Sequence, residues 1–346
     1  MNAPTINKIA IIRLSALGDI VHAIPAFHLL RTQFPHATIC WFAEPPGAKL
    51  LENVAGIDQI FVTHFKTTGI KNKWHEVKRI LAEQKEPFDL VLDFQGLLKS
   101  AVLAYLLKSH TIGFHKKNLK ESVARFFYSA QAEECDESQH VIYKNLHLVQ
   151  QVLPNPAPEY PQYPHYPLTL PPMAEVLKNF LHIHQLEPHR FVILNVGGGW
   201  ESKLLSLQQN MAIIHSIKAK YPVVVLWGNE KEKASALQIS QQTGIPITPF
   251  LDFSQLIYFI QQARLIVTAD TLAMHLADMV KTPSVGIFGP TSPYRNGSLL
   301  KESIPIFEKL PCGFCYKKKC GTIECIKKIN ILKITESIEC IYEKPS

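Results

Sequence analysis

Short apolar runs alternate with amphipathic stretches of helical length along this chain, and the pattern occurs twice. KIAIIRL (8–14), ATICWFA (37–43), IDQIFVT (57–63) and FDLVLDFQ (88–95) each lead into a more helical segment. FVILNVGGGW (191–200), YPVVVLWGNE (221–230), ARLIVTADT (263–271) and PSVGIFGPT (283–291) repeat the design. Such alternation predicts parallel strands joined by helical crossovers. Between the two sets lies LPNPAPEYPQYPHYPLTLPP (153–172). Proline fixes φ and removes a backbone donor, so this stretch is neither helix nor central strand. It reads as a semi-rigid connector that Tyr160, Tyr163 and Tyr166 pack onto a domain face. The expected organisation is a doubly wound α/β domain over 1–152, a linker over 153–172 and a second such domain over 173–325. A terminal segment, 326–346, is expected to form a helix packing back toward the first domain. Pro25 falls inside the first helical pattern, which spans about residues 20 to 34.

Composition narrows the class. A chain of 346 residues with 47% hydrophobic and 19% charged residues can fill two cores. The net charge of +7 points to an anionic partner without choosing among nucleic acid, lipid and phosphorylated small molecules. No apolar run approaches the roughly 20 residues of a membrane-spanning helix. MNAPTINK enters the first strand without the apolar core of a signal peptide, so a cytoplasmic protein is expected. Cys312, Cys315, Cys320 and Cys325 have C-x2-C-x4-C-x4-C spacing, which suits a structural zinc. The same cysteines are equally at home as free thiols, and we assign no metal and no cofactor.

In open parallel sheets, ligands sit beyond the carboxyl ends of the strands. Two of the turns there look built for phosphate. In GGGWESK, three glycines let the backbone approach an anion and Lys203 can bring charge, although the Walker spacing is absent. In ADTLAMHLA, Asp270-Thr271 stand where a helix begins, with its unpaired N–H groups, and His275 follows on the same face. Together they suggest a nucleotide diphosphate on the second domain. The first turn, RLSALGD, has one glycine where a dinucleotide fold has three, which weakens a dehydrogenase reading. Asp19 in that turn is open to three readings: helix-start carboxylate, catalytic base or solvated loop residue. The basic residues show no aromatic platform for nucleic acid.

IIRLSALGDIVHAIPAF, VLDFQGLLKSA, LWGNEKEKA and TADTLAMHLADMVKTPSVGIFGPTSPYR, in this order, resemble the motifs of the bacterial ADP-heptose:lipopolysaccharide heptosyltransferases, glycosyltransferase family 9. Within that family, DFQGLLKSA and ESVARFFYS are most similar to the enzymes acting on the first heptose. The resemblance implies a GT-B fold, two Rossmann-like domains facing a central cleft. It also implies inverting, metal-independent transfer of a heptose from ADP-heptose to the Kdo region of lipid A. Asp19 would be the catalytic base. Donor contacts would come from Ser15, Gly198, Gly199, Lys203, Glu230 on the ribose, Asp270, Thr271, Leu272 and His275. Lys99, Lys117 and Lys120 would meet the acceptor's anions. The implied setting is a monomer touching the cytoplasmic face of the inner membrane. Three positions depart from the family pattern. Leu272 replaces a glycine, Lys120 replaces an arginine and so loses bidentate geometry, and WESKLL keeps half of W-x-x-K-x-W. The alternatives are a later core heptose or a protein as acceptor, a GT-B epimerase, or a silent nucleotide-sugar-binding protein.

Overall fold

A computed structural model of the chain describes residues 6–65, 70–84, 86–153 and 163–344. They fall into two compact units, Met1–Leu170 and Pro171–Ser346.

The first unit is built on six parallel strands: β1 (Lys8–Ile12), β2 (Thr38–Ala43), β3 (Gln59–Val62), β4 (Leu90–Asp93), β5 (His110–Gly113) and β6 (Ala130–Gln131). Their spatial order is β3-β2-β1-β4-β5-β6. Ile9, Ala10, Ile11 and Ile12 are wholly buried, as expected of a central strand covered on both faces. The Leu17–Gln33 helix buries Ile20, Val21, Ile24, Phe27 and Leu30 and runs on through Pro25. It begins at Leu17, about three residues earlier than its apolar periodicity suggests, so Asp19 lies inside its first turn.

Residues 163–170 are tied to this unit. The Ala55 N–H donates to the Pro167 carbonyl at 2.9 Å, the Thr169 N–H donates to the Asn53 carbonyl at 3.0 Å, and Tyr166 is buried. The rest of the proline-rich stretch, 154–162 with Tyr160, lies outside the described residues.

The second unit carries β7 (Val192–Asn195), β8 (Val223–Leu226), β9 (Leu265–Ala269), β10 (Ser284–Ile287) and β11 (Ile304–Ile306), all parallel. Their order is β11-β10-β9-β7-β8. The terminal helix, Ile331–Tyr342, places Ile334, Ile338 and Ile341 in the same core as β7 and β9 residues. This corrects the expected separate 326–346 segment: Ile326, Ile329 and the helix are part of the second unit, because their apolar face completes its core.

In each sheet the strand order reverses at one place, between β1 and β4 in the first and between β7 and β9 in the second. The loops leaving those strands diverge and open a crevice. The loops after β1, β4, β7 and β9 are therefore where ligand chemistry is expected.

Truncating a wholly buried isoleucine of the terminal helix leaves a cavity. Ile338→Ala should cost about 2–5 kcal/mol, read as an earlier unfolding transition of the second unit in urea.

Candidate functional site

In the second unit, the loops after β7 and β9 converge on Asp270. This carboxylate is 5% exposed and stands directly after β9, a strand buried along its whole length. Lys203 Nζ donates to Asp270 Oδ2 and to the Asp270 carbonyl, each at 2.8 Å, and its ammonium lies 4.4 Å from the centre of the Trp200 ring. His275 Nε2 sits 3.3 Å from Asp270 Oδ1. Burial alone would push the Asp270 carboxyl up. The hydrogen bonds and charge of His275 and Lys203 outweigh it and hold the group well below the usual carboxylate range.

Thr271 caps the Leu272–Met279 helix with extended backbone, and its hydroxyl accepts from Asn195 Nδ2 at 3.2 Å. Asn195 also donates to Thr268 Oγ1 at 2.9 Å and to the Gly197 carbonyl at 3.2 Å, so one amide locks the two loops together. Gly198 packs against Leu204 and Thr271, whereas a side chain at Gly199 would meet nothing. Lys203, Asp270, Thr271, His275, Gly198 and the start of the Leu272 helix are thus one constellation.

Glu230 does not join it. As the first residue of the Glu230–Thr243 helix, it is 85% exposed and faces Lys233 at 3.7 Å. Glu232 is the carboxylate that reaches the glycine loop, accepting from the Gly198 N–H at 3.1 Å and the Gly228 N–H at 2.7 Å. A Cβ on Gly197 would fall 2.3 Å from its Oε2, so a side chain there would displace the Glu232 carboxylate. The local signal was present in the sequence: Asn229 caps the helix, its Oδ1 accepting from the Glu232 N–H at 3.1 Å. Asn-x-x-Glu is the spacing at which a third-position carboxylate turns back over the helix start. A second unforeseen neighbour is Lys318, whose ammonium lies 5.5 Å from the Trp200 ring centre.

In the first unit, Asp19 is held by Arg13. Arg13 Nη2 lies 2.7 Å from Asp19 Oδ2, which also accepts from the Ala16 N–H at 3.3 Å. The pair is partly open, with side chains 13% and 40% exposed. Arg13 donates in addition to the Phe94 carbonyl, and Gln95 Oε1 accepts from the Leu14 N–H at 2.7 Å. These bonds tie the loop after β1 to the loop after β4. That second loop hangs on Asp93, a wholly buried carboxylate at the end of β4. Asp93 accepts from the Gln95 and Gly96 N–H groups, from Ser100 Oγ at 2.9 Å and from Tyr128 OH at 2.8 Å. Burial pushes its carboxyl up, partly offset by those four donors. Ser15 is half-buried in the turn that leads to Asp19.

The three acceptor lysines do not form one cluster with a shared partner. Lys99 faces the buried Glu44 at 3.5 Å, Lys117 pairs with Glu134 at 2.7 Å, and Lys120 is exposed ahead of the Ser122–Phe127 turn. The four clustered cysteines are free thiols, and no group of three or more His, Cys, Asp and Glu among the described residues is arranged to hold a metal.

Residues 74–325 match the sequence profile of glycosyltransferase family 9 (heptosyltransferase). The chain belongs to that family. Among family 9 proteins, it is 28% identical to lipopolysaccharide heptosyltransferase 1 of Campylobacter coli, over 96% of this chain and 98% of that protein. It is 27% identical to the Pseudomonas aeruginosa protein of the same name, over 90% and 87%. The solved structure of the Escherichia coli heptosyltransferase WaaC with ADP superposes with a TM-score of 0.77, covering 96% of this chain and 99% of that one at 19% identity. That likeness establishes the GT-B architecture of two parallel-sheet domains.

The Leu272–Met279 helix also carries a titrating group. Burial pushes Asp278 up to about 6, partly offset by the Ser298 hydroxyl and the Leu299 N–H. An unfolded aspartate titrates near about 3.9, so folding takes up a proton between the two values. The resulting stability is fully present below about pH 4 and lost as pH rises through about 6. Asp270 acts in the opposite sense: its folded value is depressed, so its contribution rises until the unfolded aspartate is fully ionised by about pH 5 and is flat above that. Asp278→Asn should therefore flatten the fall in urea stability between pH 4 and 6.5, measured against the wild type.

Proposed function

We propose that this chain transfers a heptose from ADP-L-glycero-D-manno-heptose to the Kdo region of lipid A, with inversion at the anomeric carbon. The observation that carries the reading is the Lys203–Asp270–His275 constellation at the switch point of the second sheet, in a family 9 chain. It offers an ammonium, a glycine loop and a helix start at the position where a diphosphate binds in folds of this type. The ADP bound in the E. coli relative supports the same class of donor.

On this reading Asp19 takes the proton from the acceptor hydroxyl as that oxygen attacks the anomeric carbon. The bond from that carbon to the diphosphate oxygen breaks, and ADP leaves. A single carboxylate acting as base, with no second carboxylate needed as nucleophile, gives inversion. The developing charge on the leaving diphosphate is met by Lys203 and by backbone N–H groups at residues 199 and 272, so the proposal requires no metal. Arg13 holds Asp19 in place. Glu230, exposed at the start of the Glu230–Thr243 helix, reaches the ribose, Glu232 shapes the glycine loop, and Ser15 lines the same turn as the base. Lys99, Lys117 and Lys120 supply positive charge toward Kdo carboxylates and lipid phosphates. The chain would act at the cytoplasmic face of the inner membrane; among the described residues, no helix is long and apolar enough to cross one.

Incubation with ADP-heptose and Kdo2-lipid A, followed by mass spectrometry of the lipid, should show the gain of one heptose. A gain only on an acceptor that already carries heptose would reassign the step, and no gain on either would overturn the reading. Lys203→Ala should weaken ADP binding about 10- to 100-fold by calorimetry, the loss expected for a hydrogen-bonded charge pair.

A further inference from the structure

The segment that leaves β11 for the Glu324–Lys327 helix contains CGFCYKKKC (312–320), three lysines in a row. It is bonded to two loops of the second unit. The Phe314 N–H donates to the Gly289 carbonyl at 3.1 Å and the Tyr316 N–H to the Pro290 carbonyl at 2.7 Å, which ties it to the loop after β10. The Tyr316 hydroxyl adds a bond to Asn296 Oδ1 at 3.2 Å. One residue on, the segment meets the loop after β7: Ser202 Oγ donates to the Lys317 carbonyl at 2.9 Å, and Ser202 is buried. Ser202 directly precedes Lys203, so the backbone at Lys317 is fixed relative to Lys203. The far end is anchored too, because Cys325 and Ile326 belong to the core of the unit.

This anchoring brings a second ammonium to Trp200. Lys318 Nζ lies 5.5 Å from the ring centre, where Lys203 Nζ lies at 4.4 Å. The two charges are not equally available. Lys203 sits 2.8 Å from the Asp270 carboxylate, so its charge is already balanced within the protein. Lys318 is exposed and makes no ion pair among the described residues. Its neighbour differs: the Glu201 carboxyl, held below the usual carboxylate range by the Lys231 hydrogen bond and charge, also feels Lys319. A leaving diphosphate gathers negative charge, and a cation balanced by a carboxylate offsets it less than a free one does. The flexible four-carbon stem of a lysine lets its ammonium follow that charge.

We propose that Lys318 is a second diphosphate-binding cation, brought to the donor loops by the 312–320 segment and supplying the charge that Asp270 takes from Lys203. The inference rests on the donor-site reading above and adds to it a residue from beyond the motifs that end at Arg295. Trp200 has a matching role. It keeps the stems of Lys203 and Lys318 together, since each ammonium gains from the ring while the two repel each other until an anion arrives.

Calorimetry of the full chain with ADP and with AMP tests it. Lys318→Met keeps an apolar stem against Trp200 and removes the charge. It should weaken ADP about fivefold at low salt and AMP, which lacks the second phosphate, about twofold or less. The ADP loss should shrink as salt is raised. Lys318→Arg should keep the wild-type affinity, and Lys319→Ala should leave it unchanged, with circular dichroism showing that each variant folds. Unchanged ADP affinity in Lys318→Met would overturn the proposal. So would an equal loss for ADP and AMP, which marks a disturbed loop, or an equal loss in Lys319→Ala, which marks a diffuse field. A wild type that binds neither nucleotide would overturn the donor-site reading itself, and this inference with it.

Discussion

A carboxylate sealed at the end of a buried strand is tolerable only if something pairs it, and Asp270 is paired twice. Lys203 arrives from the loop after β7 and His275 from one turn into the following helix. Removing either partner would strand a charge in a site that burial alone would neutralise. The constraint runs through the whole second unit. β7 and β9 must be neighbours, the glycine loop must fold toward β9, and the helix must begin at Leu272 for His275 to face back. Asn195 fixes the same geometry from the other side by bonding Gly197, Thr268 and Thr271 with one amide.

The first unit solves a similar problem with neutral donors. Asp93 is as buried as Asp270, but its bonds come from backbone N–H groups and two hydroxyls. Its effect is geometric. By shaping the turn after β4, it sets Gln95 and the Phe94 carbonyl where they bind Leu14 and Arg13, and Arg13 then sets Asp19. Tyr128 also explains Gly113, since a Cβ there would lie 2.2 Å from its ring. A partly exposed carboxylate is thus carried on a frame anchored on the buried Asp93.

Much of this was legible in the sequence. Apolar runs closed by polar turns marked both sheets, because central parallel strands are buried on both faces and advertise themselves. The same turns held Asp19, Lys203, Asp270 and His275. What went unread was which of two neighbouring carboxylates faces inward, although Asn229, three positions before Glu232, carried the signal. Glu230 and Glu232 differ only in their place relative to the helix start, and Asn229 decides it. Nor could the partners of Asp93 be read, since Tyr128 lies 35 positions away and no local pattern links them. The terminal helix was misplaced for a related reason. Its apolar stripe specifies that it must be covered, but the partner surface is set by tertiary packing.

The account gives proton removal to Asp19 in the first unit and donor binding to the second. Kinetics and ADP calorimetry on Asp19→Asn test that division most directly, because the amide preserves shape and removes the base. Heptose transfer should fall about 10²–10⁴-fold with ADP affinity unchanged. Transfer near the wild-type rate would contradict the account.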